Sequence, residues 1–235
     1  MTTPAVTFDY GQTLAELDHE FLAERVREQG AELDPAAARA ADQQAWRAYG
    51  VAKTQGHRFA WQQTILAFLR AGGLHVPGAG PDQALEQRIA DWLWQEQPRR
   101  NLWRRRIPGM FELASELHAR GVPVAIISNS EGHMAELIDE LGESSSFDAI
   151  VDSGRLGIDK PDQRIFVHAA RELGVELGDV VHIGDSWEAD VEGARAVGAR
   201  AIWFSPSDAR ALPEGAIACR DALEVRAALT AFRVW

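Results

Sequence analysis

Three short β-rich runs in this chain of 235 residues each stop at polar residues, and that repeated ending constrains the fold most. An apolar run over residues 5–8 ends at Asp9. The run over 122–127 ends at Ser128-Asn129-Ser130, and the run over 179–183 ends at Gly184-Asp185, with Asp190 shortly after. Helical spacing of apolar residues over 108–117, 131–141, 162–173 and 187–197 separates these runs from further strands at 147–151, 199–204 and 216–219, and Asp221 caps a final helix to about 232. Strand–helix alternation at this rhythm predicts βαβ units and a parallel sheet, an α/β fold. Parallel strands put their carboxyl ends on one edge, where open α/β sheets bind ligands. Asp9, Ser128 and Asp185 therefore converge although they lie far apart in the chain.

Residues 15–105 read differently. Leu17, Phe21, Leu22 and Val26 recur at helical spacing, and Asp34-Pro35 predicts a capped helix running to about Tyr49. Trp61, Ile65, Phe68 and Leu69 give another apolar face, and Asp82 caps a helix carrying Leu85, Ile89, Trp92 and Leu93. No strand alternation is visible there. The expected organisation is a parallel-sheet core over 1–14 and 106–235 with an all-helical insert of four or five helices over 15–105.

Composition narrows the partners. A formal net charge of −11 argues against nucleic acid or an anionic membrane surface, and no apolar run approaches the length of a membrane span. No signal-peptide apolar stretch opens the sequence, and Cys219 is its one cysteine, so a reducing cytoplasm is the expected location. Lysine occurs twice, at Lys53 and Lys160, against 22 arginines. A lysine kept against that background marks a place where a compact ammonium is needed. Lys160 stands in the loop Gly157-Ile158-Asp159-Lys160-Pro161-Asp162, on the same side as the strand ends.

Carboxylates gathered at one edge repel unless a cation joins them, and Mg²⁺ suits such oxygen ligands. Asp9 and Asp185 would bind it directly, the Gly11 carbonyl would be a third ligand, and Asp190 a ligand or an acceptor behind the first ring. Ser128 and the amides after it can donate to phosphate oxygens, Lys160 offsets negative charge, and Asp9 can attack phosphorus to form an aspartyl-phosphate.

The same residues carry a family resemblance over the whole chain. Asp9 with Thr13, Ser128 after Ile126-Ile127, Lys160-Pro161-Asp162 with Ile165-Phe166, and Gly184-Asp185-Ser186 with Asp190 and Gly193-Ala194 resemble, in order, the four motifs of the haloacid dehalogenase superfamily. The resemblance is to the subgroup with a helical cap inserted after the first motif. It implies a Rossmann-like core with an all-helical cap domain and a phosphohydrolase acting on a small phosphorylated metabolite. It also implies Thr13, Asn129 and Ser130 around the phosphate. One position departs from the pattern. Most phosphatases of the family carry a second aspartate two residues after the nucleophile, to protonate the leaving alcohol. Here Gly11 stands there. General acid–base help is worth roughly 10²–10⁴ in rate. The expectation is a preference for aryl or acyl phosphates over alkyl phosphates.

Three other functions stay open on the sequence. The chain could bind Mg²⁺ and a phosphorylated ligand without turnover. It could cleave a carbon–phosphorus bond through a Schiff base on Lys53, though the residues around Lys53 otherwise suggest a solvated helix-end lysine. It could be a 2-haloacid dehalogenase, against which Asp185 and Asp190 argue. Arg99, Arg100, Arg104, Arg105 and Arg106 read first as a hinge paired with nearby acids and second as an attractor of anionic substrate. His57-Arg58 fits substrate selection or a surface loop. His133 fits a phosphate contact or a helix face. Trp46, Trp61, Trp92, Trp94 and Trp103 read as packing of the cap and its contact with the core. Neither the substrate's identity nor the oligomeric state follows from the sequence.

Overall fold

Apolar runs and their polar caps set the element order. The computed structural model describes residues 4–54, 60–80, 82–206 and 209–234. Strand β1 (Ala5–Phe8) runs through a turn into β2 (Ala15–Leu17). Five helices follow among the described residues: α1 (His19–Glu28), α2 (Pro35–Ala40), α3 (Asp42–Thr54), α4 (Ala60–Ala71) and α5 (Gln83–Glu96). Strand β3 (Trp103–Arg106) pairs with β2. Then come α6 (Met110–Ala119), β4 (Val124–Ser128), α7 (Met134–Glu140), β5 (Ala149–Asp152), α8 (Ser153–Leu156), α9 (Gln163–Leu173) and β6 (Val180–Gly184). A π-helical segment (Trp187–Glu192), α10 (Gly193–Ala196), β7 (Arg200–Phe204), β8 (Ala216–Cys219) and α11 (Ala222–Ala231) complete the order.

Six strands form one parallel sheet in the order β5-β4-β1-β6-β7-β8. Strand β1 is central, with Phe8 in register with Ile126 on one side and Ile183 on the other. Side chains alternate across the sheet, so each strand feeds two layers. One layer packs Val6, Phe8, Val124, Ile126, Val181 and Ile183 with Phe111 and Leu113 of α6 and Leu229 of α11. The other packs Ala5, Ile127, Val180 and Trp203 with Ile165 and Phe166 of α9 and with Val191 and Ala194. Burial on both faces is what a parallel sheet needs.

The chain divides into two compact units, Met1–Glu16 with Trp103–Trp235, and Leu17–Leu102. The second has a buried interior of Leu22, Val26, Ile65, Phe68, Leu69, Leu85, Ile89 and Leu93. Asp18, Asp34 and Asp82 cap its helices through their side chains. Trp61 and Trp94 pack at 5.0 Å, and the guanidinium of buried Arg25 lies 4.3 Å from the Trp92 ring centre. Among the described residues no helix is long and apolar enough to cross a membrane.

The structure corrects four local expectations. Residues 15–105 are not purely helical, because β2 and β3 lie at their ends. The helix expected from Asp34 to about Tyr49 breaks at Ala41, whose ψ of 3° takes it out of the helix. The helix expected from 131 starts at Met134, because the N–H groups of Gly132 and Met134 donate to Asp152 across the loop. The segment 187–197 winds first as a π-helix, with Val191 N–H reaching back to the Ser186 carbonyl at 3.2 Å.

Candidate active site

The register of the central strands brings the polar ends together. Asp9 follows β1, and its N–H extends the pairing with β6 by donating to the Ile183 carbonyl at 2.7 Å. Asp185 follows β6, where the Trp203 indole N–H donates to its carbonyl at 2.8 Å. Asp190 is returned to the same place by the π-helical turn. This return requires Gly184: a Cβ there would lie 2.2 Å from the Asp190 carboxyl carbon. Widened turns of this kind recur at functional sites.

Lys160 reaches the cluster from the loop before α9. Asn129 fastens its backbone from both sides, accepting from Lys160 N–H at 2.8 Å and donating to the Lys160 carbonyl at 3.0 Å. The ammonium Nζ then donates to Asp9 Oδ1 at 2.6 Å and to Asp190 Oδ1 at 2.7 Å. Lys160 is 5% exposed and Asp190 1%. Asp190 Oδ1 also lies 3.1 Å from His182 Nε2, and its Oδ2 accepts from Ser186 N–H at 2.9 Å.

Charge in this buried space sets the protonation states. Asp9, Asp185 and Asp190 each offer an oxygen within 4.8 Å of the others, against a single ammonium among the described residues. Burial, then the charges of Asp9 and Asp190, pushes the Asp185 carboxyl well above its ordinary range. Burial also raises Asp9, against the pull of Lys160. Asp190 moves the other way: Lys160 and His182 outweigh its burial and hold it ionised. Burial opposes the charge on Lys160, but Asp190 and Asp9 outweigh it and keep the ammonium protonated. Burial holds His182 below its ordinary value, so the ring is neutral.

The residues singled out in the sequence are not all joined. Asp9, Lys160, Asp185 and Asp190 meet, and Asn129 joins through the Lys160 backbone. Ser128 is buried at the end of β4, in register with Asp152. Ser130 N–H donates to Ser153 Oγ at 3.1 Å, while its own hydroxyl has no hydrogen-bond partner. The buried Thr13 hydroxyl has none either. In the turn after Asp9 the left-handed position falls on Gln12, whose φ is 57°. Among the described residues a Cβ on Gly11 would meet only the Trp103 indole, at an ordinary 3.8 Å. The N–H groups of Gly132 and Met134 at the start of the next helix donate to Asp152 rather than to Ser128 or Asn129. His133 is exposed at the N-cap of α7 and makes no side-chain cap bond.

Four of the five arginines in the arginine-rich stretch meet nearby acids. Arg100 pairs with Glu28, Arg104 with Glu140, Arg105 with Glu16 and Arg106 with Glu143. Lys53 lies on α3, but its side chain falls outside the described residues, as do His57 and Arg58. Four residues at the site escaped the sequence reading: Thr7, His182, Asp152 and Trp203. For Thr7 and His182 the available signal was faint, a lone polar residue inside an otherwise apolar strand, whereas Asp152 is a polar strand end like Asp9.

With this geometry in view, comparison with known proteins is decisive. Residues 3–198 match the haloacid dehalogenase-like hydrolase family. The chain belongs to that family. It is 30% identical over 203 residues to the human haloacid dehalogenase-like hydrolase domain-containing protein 3, covering 82% of this chain and 78% of that protein. It is 31% identical over 146 residues to a phosphoserine phosphatase of Thermus thermophilus, covering 60% of this chain and 56% of the relative. The magnesium-bound HAD-hydrolase YfnB of Bacillus subtilis shares the fold at a TM-score of 0.65 and 21% identity, over 97% of this chain and 99% of that one. As a haloacid dehalogenase-like hydrolase, the chain is an enzyme with a Rossmann-like α/β core.

Proposed function

We propose that the chain hydrolyses a small phosphorylated metabolite through an aspartyl-phosphate on Asp9. The observation that carries this reading is the Lys160 ammonium set between Asp9 and Asp190, with Asp185 alongside. Three carboxylates facing one ammonium among the described residues leave an excess of negative charge, and burial together with that charge pushes Asp185 upward. Hard oxygen donors with a charge deficit fit Mg²⁺. Asp9, Asp185 and the Gly11 carbonyl would hold it. Asp190, whose oxygens already take Lys160, His182 and Ser186, anchors the ammonium from behind. Mg²⁺ when bound supplies positive charge against the phosphoryl oxygens.

The chain's own residues do the rest. An Asp9 oxygen attacks phosphorus in line, and the bond from phosphorus to the leaving oxygen breaks. The leaving oxygen departs with the electron pair and takes its proton from water, because Gly11 offers none. Water then attacks the aspartyl-phosphate, releasing inorganic phosphate and restoring the carboxylate. Lys160 offsets charge on Asp9 and on the phosphoryl group throughout. Ser128, Asn129, Ser130 and Thr13 are the groups proposed around the phosphate, and the unpartnered hydroxyls of Ser130 and Thr13 support a role in accepting or donating there. The helical unit, Leu17–Leu102, is proposed as the cap that selects substrate. Likeness to a phosphoserine phosphatase supports the phosphomonoester class, and a single buried cysteine fits a reducing cytoplasm.

The test is phosphate release from p-nitrophenyl phosphate and acetyl phosphate, with Mg²⁺ and with chelator, beside Asp9→Asn. Turnover should need both Mg²⁺ and Asp9, with Asp9→Asn lower by about three orders of magnitude or more. Wild-type turnover no higher than that of folded Asp9→Asn would overturn the reading.

A further inference from the structure

The proposed reaction leaves one buried polar pair without a task. Thr7 and His182 are register partners on β1 and β6, and both are fully buried. The side chains around them on that face, Ala5, Val180, Ile165 and Phe166, are apolar. Packing alone would be served by valine and phenylalanine at these two positions. A buried hydroxyl and imidazole each cost about 1–3 kcal/mol if left unsatisfied.

They are satisfied by one another and by Asp190. Thr7 Oγ1 lies 2.8 Å from His182 Nδ1, and His182 Nε2 lies 3.1 Å from Asp190 Oδ1. An ionised carboxylate only accepts, so Nε2 carries the proton. In the neutral ring Nδ1 then accepts, and the Thr7 hydroxyl donates to it. The ring also stands edge-on to Phe166, with centres 5.2 Å apart at 87°. Orientation is thus fixed on both sides, as with a second partner that sets a histidine's tautomer. Asp190 Oδ1 receives two donors, His182 Nε2–H and the Lys160 ammonium.

We propose that His182, oriented by Thr7, is a positioning residue: it fixes the Asp190 carboxylate that places the Lys160 ammonium on Asp9. It acts from inside the sheet and touches neither Asp9 nor the substrate. The inference deepens the phosphohydrolase reading and rests on it for its kinetic consequence, not for its structural one.

The two amide substitutions separate positioning from packing. Glutamine can put an N–H near the place of Nε2, whereas asparagine reaches only the Nδ1 side. His182→Asn should lower kcat on p-nitrophenyl phosphate about tenfold with KM within about twofold, and His182→Gln should recover most of the loss. Thr7→Val should cost about threefold alone and nothing more in the His182→Asn background. A second readout needs no turnover. With only two lysines in the chain, ¹⁵N-lysine labelling gives two Nζ signals. The signal from buried Lys160 should exchange slowly with solvent in the wild type and in His182→Gln, and quickly in His182→Asn. If the wild type turns over no faster than Asp9→Asn, the phosphohydrolase reading falls, and the Nζ signals still decide the placing of Lys160. Folded His182→Asn with wild-type kcat and a slowly exchanging Nζ, or equal behaviour of the two amides, overturns the proposal. Should His182→Asn fail to fold, Thr7→Val with unchanged kcat and unchanged Nζ exchange does the same.

Discussion

The two faces of the central sheet follow different rules along the same two strands. Toward α6 and α11, β1 and β6 present Val6, Phe8, Val181 and Ile183, all fully buried. Toward α9 they present Ala5 and Val180 and then, side by side, Thr7 and His182. The first face holds the fold by excluding water. The second gives up apolar area at its centre for a hydrogen-bonded line that runs from Thr7 to His182, Asp190, Lys160 and Asp9. A strand has only two faces, so a protein that needs a rigid base for buried charge must take it from one of them. Here the split separates apolar packing from the polar line proposed to arrange the chemistry.

That separation can be broken first where the expected effect is largest. Phe111 on α6 is buried and meets Phe147 edge-on at 6.4 Å. Phe111→Ala should cost about 3–5 kcal/mol of stability, by lost transfer energy and the cavity left behind. Urea unfolding would read it as a lowered midpoint at unchanged slope. The kcat of the folded enzyme should stay within about twofold of wild type. A collapse of kcat in the folded variant would mean that the apolar face also positions the site, and the contrast would fail.

Lys160→Arg probes the opposite face at its end. Charge is kept, but a planar guanidinium replaces a compact ammonium that donates at 2.6 and 2.7 Å to two buried carboxylates. The expected loss is about a hundredfold in kcat/KM, equivalent to roughly 2.7 kcal/mol of transition-state stabilisation. Stability should fall less than in Phe111→Ala. Wild-type kcat/KM would take Lys160 out of the proposed machinery.

Legibility in the sequence follows the same division. The sheet and its edge could be read because each strand is a short apolar run with a polar stop, and parallel pairing fixes where the stops go. Lys160 could be read because lysine is scarce in this chain. Thr7 and His182 could not, since a single polar residue inside a strand looks the same whether it is satisfied locally or linked to a site. Strands β2 and β3 escaped because three and four residues carry no periodicity, and Trp103-Arg104-Arg105-Arg106 reads as charge. The break at Ala41 escaped because an alanine-rich stretch contains no stop signal. The π-helical turn depends on Gly184 leaving room for Asp190, a contact between residues whose spacing alone suggests an ordinary helix. Substrate choice is the least legible, because the helical unit proposed to make it shows a pattern that reports packing.

Gly11 sharpens the contrast at the outer end of the same line, with the smallest expected effect. Inward from Asp9 each polar group has a partner, while two residues beyond it the side chain is missing. Neither conformation nor space imposes this. The left-handed backbone of the turn falls on Gln12, and a Cβ on Gly11 would sit 3.8 Å from the Trp103 indole. An aspartate can therefore be accommodated there, and what it would change is chemistry. Gly11→Asp should raise kcat/KM for an alkyl phosphate by about tenfold, at or below the low end of what a general acid supplies. It should change p-nitrophenyl phosphate by less than about twofold, because that leaving group departs without a proton. The gain should be confined to conditions with Mg²⁺. Asp185 is already pushed up by burial and by the charges of Asp9 and Asp190, and another carboxylate without a cation adds to that repulsion. Equal gains on both substrates would show that the aspartate acts on something other than the leaving group. No gain on either, with the fold intact, would show that the reaction does not depend on a proton delivered from this position.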